Sequence, residues 1–385
     1  MKMAIVAVGY SRPDSMQRLL GTVRKAEYGS DEIDLIISID KGKRQEEVIK
    51  VAEKLDWPYG EKKIRAFSKR QGLRKHIIQC GDLTEKYDAV VVLEDDLMVS
   101  CSFYTYVKQC IEFYGEDSRI AGISLYKHEM HPGVYRPFEP VNNGYDVFLM
   151  QFAMSWGQCW TKQMWEKFKQ WYIQNENTDL RDGNILPRYI AQWNKQSWLK
   201  YYMRYIVETN RYFVYPYIAL STNASDVGEH CGIANNDYQI SVLQGTMKYR
   251  FPEFEAAVKY DVYFERQFDE KIKLLGLKGK VLLDLYADRY DYLNADYLIS
   301  TKCLPFKIVK EFQLKYRPME MNCLYPAEGK GIRMYDLAIS SSCEKVNLNY
   351  ITRYDVRSIH WKRLLKLGWE EFLEAIKIRL VKHKS

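Results

Sequence analysis

The stretch Ala89-Val90-Val91-Val92-Leu93-Glu94-Asp95-Asp96 decides how this chain is read. Five apolar, mostly β-branched residues predict a strand buried on both faces, as in a parallel sheet. Three carboxylates follow at its carboxyl end, where open α/β sheets place their ligands. Adjacent negative charges are tolerated there when a cation balances them. Hard oxygen donors suit Mg²⁺ or Mn²⁺, and a metal so held can bridge the phosphates of a nucleotide.

The sequence on either side supports such a sheet. Ala4–Val8 is apolar, and Tyr10-Ser11-Arg12-Pro13-Asp14 turns the chain into a helix marked by Met16, Leu19, Leu20, Val23 and Ala26. Pro13 suits a first helical turn. Leu35–Ile39 predicts a second strand ending in Asp40, with a helix near Gln45–Leu55 after it. A short strand at Ile64–Phe67 and a helix around Leu73–Ile78 lead into Ala89–Leu93. Strands alternating with helices predict a doubly wound, mostly parallel sheet. Farther on, Phe103–Tyr114 has helical spacing and Ile120–Ser124 reads as a strand. Residues 126–150 form a loop with a short strand at Val147–Met150. An aromatic turn at Ser155–Thr161 precedes helices to about Asn210, a strand at Phe213–Pro216 and a polar loop at 221–237.

The chain has 385 residues, enough for two domains. A net charge of +7, from 57 basic and 50 acidic residues, suits anionic substrates or an anionic membrane surface. It includes no basic run or module that would point to nucleic acid. The cysteines at 80, 101, 110, 159, 231, 303, 323 and 343 form no CxxC pair. They read as free thiols in a reducing compartment, without a zinc site or disulfide framework. Met1–Val8 is too short for a signal core, and no stretch approaches the ~20 apolar residues that span a bilayer. A cytoplasmic protein is expected.

Residues 236–355 read as an appended subdomain of unassigned role. Residues 356–385 read as a basic amphipathic helix, with Trp361, Leu364, Leu365, Trp369, Phe372, Ile376 and Leu380 at helical spacing among lysines and arginines. Such a helix can lie on the inner face of a membrane or dock on its own domain.

In a sheet wound this way, Asp40, the acidic triplet and the Tyr10-Ser11-Arg12 turn open onto one crevice. Taken singly, each of these side chains has an ordinary structural explanation; their convergence is what points to a site. Arg12 can contact a base or phosphate, Asp40 a base or ribose, and the triplet a metal and ribose.

Strand-Asp40, and strand-Glu94-Asp95-Asp96-Leu97 with its following helix, resemble the nucleotide-sugar core of GT-A fold glycosyltransferases. The resemblance is to the N-acetylglucosaminyltransferase I type and its bacterial capsule and lipopolysaccharide relatives, and covers roughly residues 1–235. It implies a Rossmann-like, mostly parallel α/β sheet flanked by helices, with an appended C-terminal subdomain. It also implies a nucleotide diphosphate sugar donor, UDP-linked, and a saccharide or lipid-linked acceptor. Carried over, Asp96 binds Mn²⁺ or Mg²⁺, Glu94 and Asp95 address ribose and uracil, and Arg12 and Asp40 hold the uridine. The family's Gly-Trp turn is similar to Trp156-Gly157-Gln158-Cys159-Trp160, and its late Asn…Gly…His loop to Asn223 through His230. His230 is a second metal or leaving-group candidate.

One departure matters. The family's inverting enzymes carry a catalytic Asp beside a Trp, whereas this chain reads Ser197-Trp198-Leu199. An inverting transfer needs a base for the acceptor hydroxyl. Asp182, Glu208 and Asp226 are the candidates, and the choice stays open. The expected activity is a metal-dependent glycosyltransferase of surface polysaccharide synthesis. Two other readings stand beside it. A sugar-phosphate nucleotidyltransferase should have a Gly-rich loop after the first strand, but Gly9–Pro13 holds one glycine. The other is a nucleotide-sugar or carbohydrate binder that has lost its base.

Overall fold

The computed structural model describes residues 1–181, 185–226, 237–267, 278–292, 294–343, 349–356 and 358–382. The chain divides into one unit of Met1–Lys273 with Leu282–Asn294, and a second of Leu274–Val281 with Ala295–Ser385.

The first unit is a mixed α/β layer structure. Strands β1 (Met3–Gly9) and β2 (Ile33–Ile39) are buried at every residue. Helix α1 (Pro13–Arg24) between them starts on Pro13 and buries Met16, Leu19, Leu20 and Val23. Helix α2 (Gln45–Lys54), strand β3 (Lys62–Ala66) and helix α3 (Leu73–Gly81) follow, and then β4 (Ala89–Glu94). These four strands are parallel, in the order β4-β1-β2-β3.

Register is what places the site. Val8 lies opposite Glu94, and Gly9 opposite Ile39. The loops carrying Arg12, Asp40 and Asp95–Asp96 therefore leave the sheet at one edge, as expected for a parallel sheet.

Beyond β4 come β5 (Leu97–Val99), α4 (Phe103–Tyr114), β6 (Ile120–Ser124), β7 (Met130–His131), β8 (Arg136–Pro137) and β9 (Val147–Met150). The stretch read as an aromatic turn contains β10 (Gln158–Thr161), buried throughout and antiparallel to both β4 and β6. Helices α5 (Lys162–Asn175), α6 (Arg188–Ala191) and α7 (Trp198–Glu208) cover the sheet, and β11 (Tyr212–Pro216) runs parallel to β6. Strand β12 (Ser221–Asn223) pairs with β5 in a separate two-stranded ribbon.

The expected boundary at 235 falls inside this unit. Strand β13 (Lys259–Tyr260) adds to β9, and the Asp146 N–H donates to the Arg250 carbonyl at 3.0 Å. The Tyr114 hydroxyl donates to the carbonyl of Pro252 at 2.6 Å. Aromatic packing recruits these residues to the core in a way that local composition did not signal.

Strand β14 (Val281–Asp284) marks the passage along the chain to the second unit. There β15 (Tyr297–Ser300), β16 (Phe306–Gln313) and β17 (Gly331–Ser340) pair antiparallel in the order β15-β17-β16. They bury Leu298, Ile299, Phe312, Ile332, Met334 and Tyr335. Beside helix α8 (Met321–Leu324), the buried Asn322 amide accepts from Lys315 and Tyr316 N–H groups and donates to two carbonyls. Cys303 and Cys343 are disulfide-bonded with Cα atoms 6.0 Å apart, correcting the all-thiol expectation. Cys80, Cys110, Cys159 and Cys323 are buried free thiols.

Helix α9 (Asn349–Asp355) leads to α10 (Trp361–Lys382). Here Trp361, Leu365, Trp369 and Phe372 are 56%, 66%, 63% and 56% exposed. Among the described residues no helix is long and apolar enough to cross a membrane.

Candidate functional site

At the end of β4 the triplet is sunk into the protein. Asp95 is 3% exposed, and the Arg12 guanidinium, from the turn before α1, donates to its carboxylate. The same guanidinium lies 3.4 Å from Asp96. Burial pushes the Asp95 carboxyl up to about 6, with Arg12 pulling against it and Asp96 adding to it. Burial, then Asp96 and Asp95, push Glu94 up to about 8. Arg12 is held above its ordinary value because Asp95 and Asp96 outweigh its own desolvation.

One guanidinium cannot satisfy three acids. Glu94 Oε1, Asp95 Oδ2 and Asp96 Oδ1 are buried without a hydrogen-bond partner among the described residues. Buried polar atoms are normally paired, and orphans need a reason. Glu94 and Asp96 both line a cleft of about 920 Å³. Two carboxylates facing a nucleotide-sized cleft fit Mg²⁺ or Mn²⁺, which keep waters and take one or two carboxylates plus substrate phosphates. Glu94 and Asp96 are the residues that would hold the ion, which gives Glu94 the metal in place of the ribose or uracil expected of it.

Asp40 does something the sequence did not suggest. It is 4% exposed and accepts from the backbone N–H groups of Lys41 at 2.8 Å, Gln71 at 2.7 Å and Gly72 at 2.9 Å. It is not among the cleft-lining residues, whereas Arg70, Gln71 and Gly72 are. Asp40 thus shapes the β3–α3 loop that forms the wall, a loop the sequence reading missed. Its signal was a polar, Gly-containing segment at a strand's carboxyl end. Gly72 adopts φ +77°, a conformation side chains disfavour, at the start of α3.

Trp156 lines the cleft, with its ring centroid 4.8 Å from that of Tyr238. Gly157 has φ +94°, and a Cβ there would meet Leu125 and Ser221 Oγ at 3.1 Å. The Ser221 hydroxyl donates to the Trp156 carbonyl at 2.6 Å, tying the turn to β12. The β5–β12 ribbon then delivers the late loop. Asn223 lines the cleft and its Oδ1 accepts from the Ser225 N–H at 2.5 Å.

Of the candidate bases, Asp226 also lines the cleft. Ser15 Oγ donates to it at 2.6 Å, and Arg18 donates to both its oxygens. Burial raises its pKa, but Arg18 and Ser15 outweigh that and hold it below the usual carboxylate value. Glu208 lies outside the cleft lining, at the opposite end of α7 from Trp198. Its oxygens accept from Trp171 Nε1 at 2.9 Å and Arg204 Nε at 2.5 Å. Asp182 and His230 lie outside the described residues.

A family model described as the SPBC1E8.03c C-terminal domain matches residues 14–180. No curated protein matches the chain. Among solved structures, the chain is similar to the mannosyltransferase PcManGT from Pyrobaculum calidifontis in complex with GDP-Man and Mn²⁺. That match has 9% identity and a TM-score of 0.31, covering 44% of this chain and 46% of the other. It is similar to residues 1–349 of S. aureus TarS in complex with UDP-GlcNAc, at 11% identity and a TM-score of 0.39, covering 60% of each chain. The same TarS segment in complex with UDP gives 12% identity and a TM-score of 0.37, covering 57% of this chain and 60% of that one. The chain spans less than two thirds of the length of each of these structures.

Proposed function

We propose that this chain is a metal-dependent, inverting glycosyltransferase of surface polysaccharide synthesis. It moves a sugar from a UDP-linked donor to a saccharide or lipid-linked acceptor. The observation that carries the reading is the pair of cleft-facing carboxylates, Glu94 and Asp96, each with an orphaned buried oxygen. A bound divalent ion would supply Lewis-acid stabilisation of the departing diphosphate. Arg12 keeps Asp95 and Asp96 in place for it. Asp226, ionised and on the cleft, is the base assigned to the acceptor hydroxyl. As that oxygen bonds the anomeric carbon, the bond to the diphosphate oxygen breaks and the proton passes to Asp226.

The test is a thermal-shift screen of UDP, UDP-sugars and GDP-sugars with and without Mn²⁺. Ligands of the native state raise the melting temperature. A Mn²⁺-dependent rise with a UDP-sugar, and slow release of UDP from it, is expected. Binding without turnover over any donor and acceptor pair favours the binder reading, which the engagement of Asp226 by Arg18 keeps in view.

The same reading places the protein on the inner membrane face through α10. Its exposed Trp361, Leu365, Trp369 and Phe372 accompany Lys362, Arg363 and Lys366, and aromatic residues beside cations suit an anionic lipid surface.

A further inference from the structure

Among the described residues, the charged side chains lining the cleft are Arg70, Glu94, Asp96 and Asp226. The wall formed by residues 193–197 is different: Trp193, Asn194 and Gln196 present one indole and two amides. Trp193 is half-buried, 6.1 Å from Tyr189 by ring centroid.

This wall is rigidly built. The Lys200 ammonium, on a residue 4% exposed, donates to the carbonyls of Ala191 at 2.6 Å and Trp193 at 3.2 Å. Arg74 donates to the Lys195 carbonyl and to the Tyr201 hydroxyl, both at 3.2 Å, and stacks 3.9 Å from the Tyr201 ring centroid. Asn194 closes the turn, its Oδ1 accepting from the Gln196 N–H at 2.9 Å. Burying an ammonium is unfavourable unless it is well satisfied. Lys200 thus holds the backbone of Trp193, while Arg74 joins the same turn to the Glu176 carbonyl at 2.5 Å and the Tyr172 hydroxyl at 2.8 Å.

We infer that Trp193, with the Asn194 and Gln196 amides, forms an acceptor subsite for an uncharged saccharide. A pyranose offers an apolar face of axial C–H bonds to an indole, while its equatorial hydroxyls pair with amide donors and acceptors. Trp193, Asn194 and Gln196 themselves carry no charge, so the stacking face and its amides favour a neutral pyranose. Arg70 on the same cleft and Lys195 in the same turn are the cations an anionic sugar would use, which is why glucose 6-phosphate is the opposing probe. The inference rests on the transferase reading for the word acceptor; the sugar site itself is testable separately.

The experiment is saturation-transfer difference NMR on the full chain with UDP and diamagnetic Mg²⁺, using N-acetylchitotriose, maltotriose and glucose 6-phosphate as probes. A neutral trisaccharide should receive saturation at its axial C–H protons. The signal should fall about tenfold in Trp193→Ala and survive in Trp193→Phe, which keeps a stacking face. Gln196→Ala, on the exposed turn, should weaken the signal without lowering the melting temperature and serves if Trp193→Ala does not fold. Absence of saturation for both neutral probes, a signal unchanged in Trp193→Ala, or stronger saturation of glucose 6-phosphate would overturn the subsite. Failure of UDP to shift the melting temperature strikes the transferase reading instead, leaving the saccharide result to stand or fall alone.

Discussion

The backbone N–H of Ala224 donates to the carbonyl of Asp96 at 2.8 Å. Together with the β5–β12 ribbon, this bond fastens the late loop to the acidic triplet. Asn223 and Asp226 therefore keep a fixed relation to Asp96, although more than 120 residues separate them in sequence. A site assembled from segments this far apart in sequence should respond as one unit when either segment is altered.

Removing the carboxylate of Asp96 separates activity from stability. Asp96→Ala leaves Glu94 and Arg12 in place but takes away a proposed metal contact. Losing an outer-shell partner costs about 10–100-fold in affinity or activity, so loss of Asp96 should reach at least the top of that range. The metal-free protein, relieved of one like charge beside Asp95 and Glu94, should melt no lower than the parent. Mn²⁺ titration and a melting curve in chelator check both halves. A parallel fall in stability would mean that Asp96 is a structural residue.

Asp40 should behave as a clamp. Asp40→Ala strands the N–H groups of Lys41, Gln71 and Gly72, which lose charged acceptors. A destabilisation of about 2–3 kcal/mol is expected, with weaker nucleotide binding because the loop forms the cleft wall. Denaturant unfolding and UDP titration distinguish this from direct ligation. Full stability with lost affinity would show Asp40 touching the nucleotide itself.

These contrasts mark what was legible in the chain. Strands β1, β2 and β4 announce themselves because burial on both faces favours apolar runs, interrupted in β2 by the buried Asp34 and Ser38. The edge of the sheet they share places Arg12 and the triplet together, so pattern alone reached that far. Strand β10 escaped because four residues, Gln158 to Thr161, carry no period. Their pairing is dictated by β4 and β6, which lie far away in sequence. The task of Asp40 was hidden because its partners are backbone amides, identical in every residue. Trp193 gave no signal, since a lone Trp reads equally as core. Cys303 and Cys343 are 40 residues apart, brought together by β-strands whose pairing no spacing rule anticipates.

Acid should destabilise the first unit through His76. The ring is buried beside Ser38 Oγ at 2.6 Å, and Arg65 donates to the same hydroxyl. Burial pushes its pKa down to about 4, with Asp40 raising it and Arg65 lowering it further. The unfolded chain, with an ordinary value near 6.5, binds the proton first as pH falls. Stability is therefore full above about pH 6.5 and is lost as pH drops toward 4. The share from this one group is on the order of 3 kcal/mol. Denaturant melts at pH 7 and pH 4.5 should show a smaller difference in His76→Gln than in the parent. An equal difference would assign the acid sensitivity elsewhere, for example to His128 and His131, which burial also pushes down to about 3.

Helix α10 should bind anionic vesicles through the side chains it leaves exposed. Trp361, Leu365, Trp369 and Phe372 fall at spacings of four, four and three, which puts them on one helical stripe. Lys362, Arg363 and Lys366 lie beside it, so attraction to phosphatidylglycerol adds to apolar insertion. Each cation near such a surface contributes about 1 kcal/mol, and binding should weaken as salt shortens the screening length. In flotation assays the full chain should rise with phosphatidylglycerol vesicles and stay down with pure phosphatidylcholine. Trp369→Ser with Leu365→Ser should abolish flotation while leaving the melting temperature unchanged, because both side chains already face solvent. Flotation that persists in the double variant, or equal binding to neutral vesicles, would take the membrane role away from this helix.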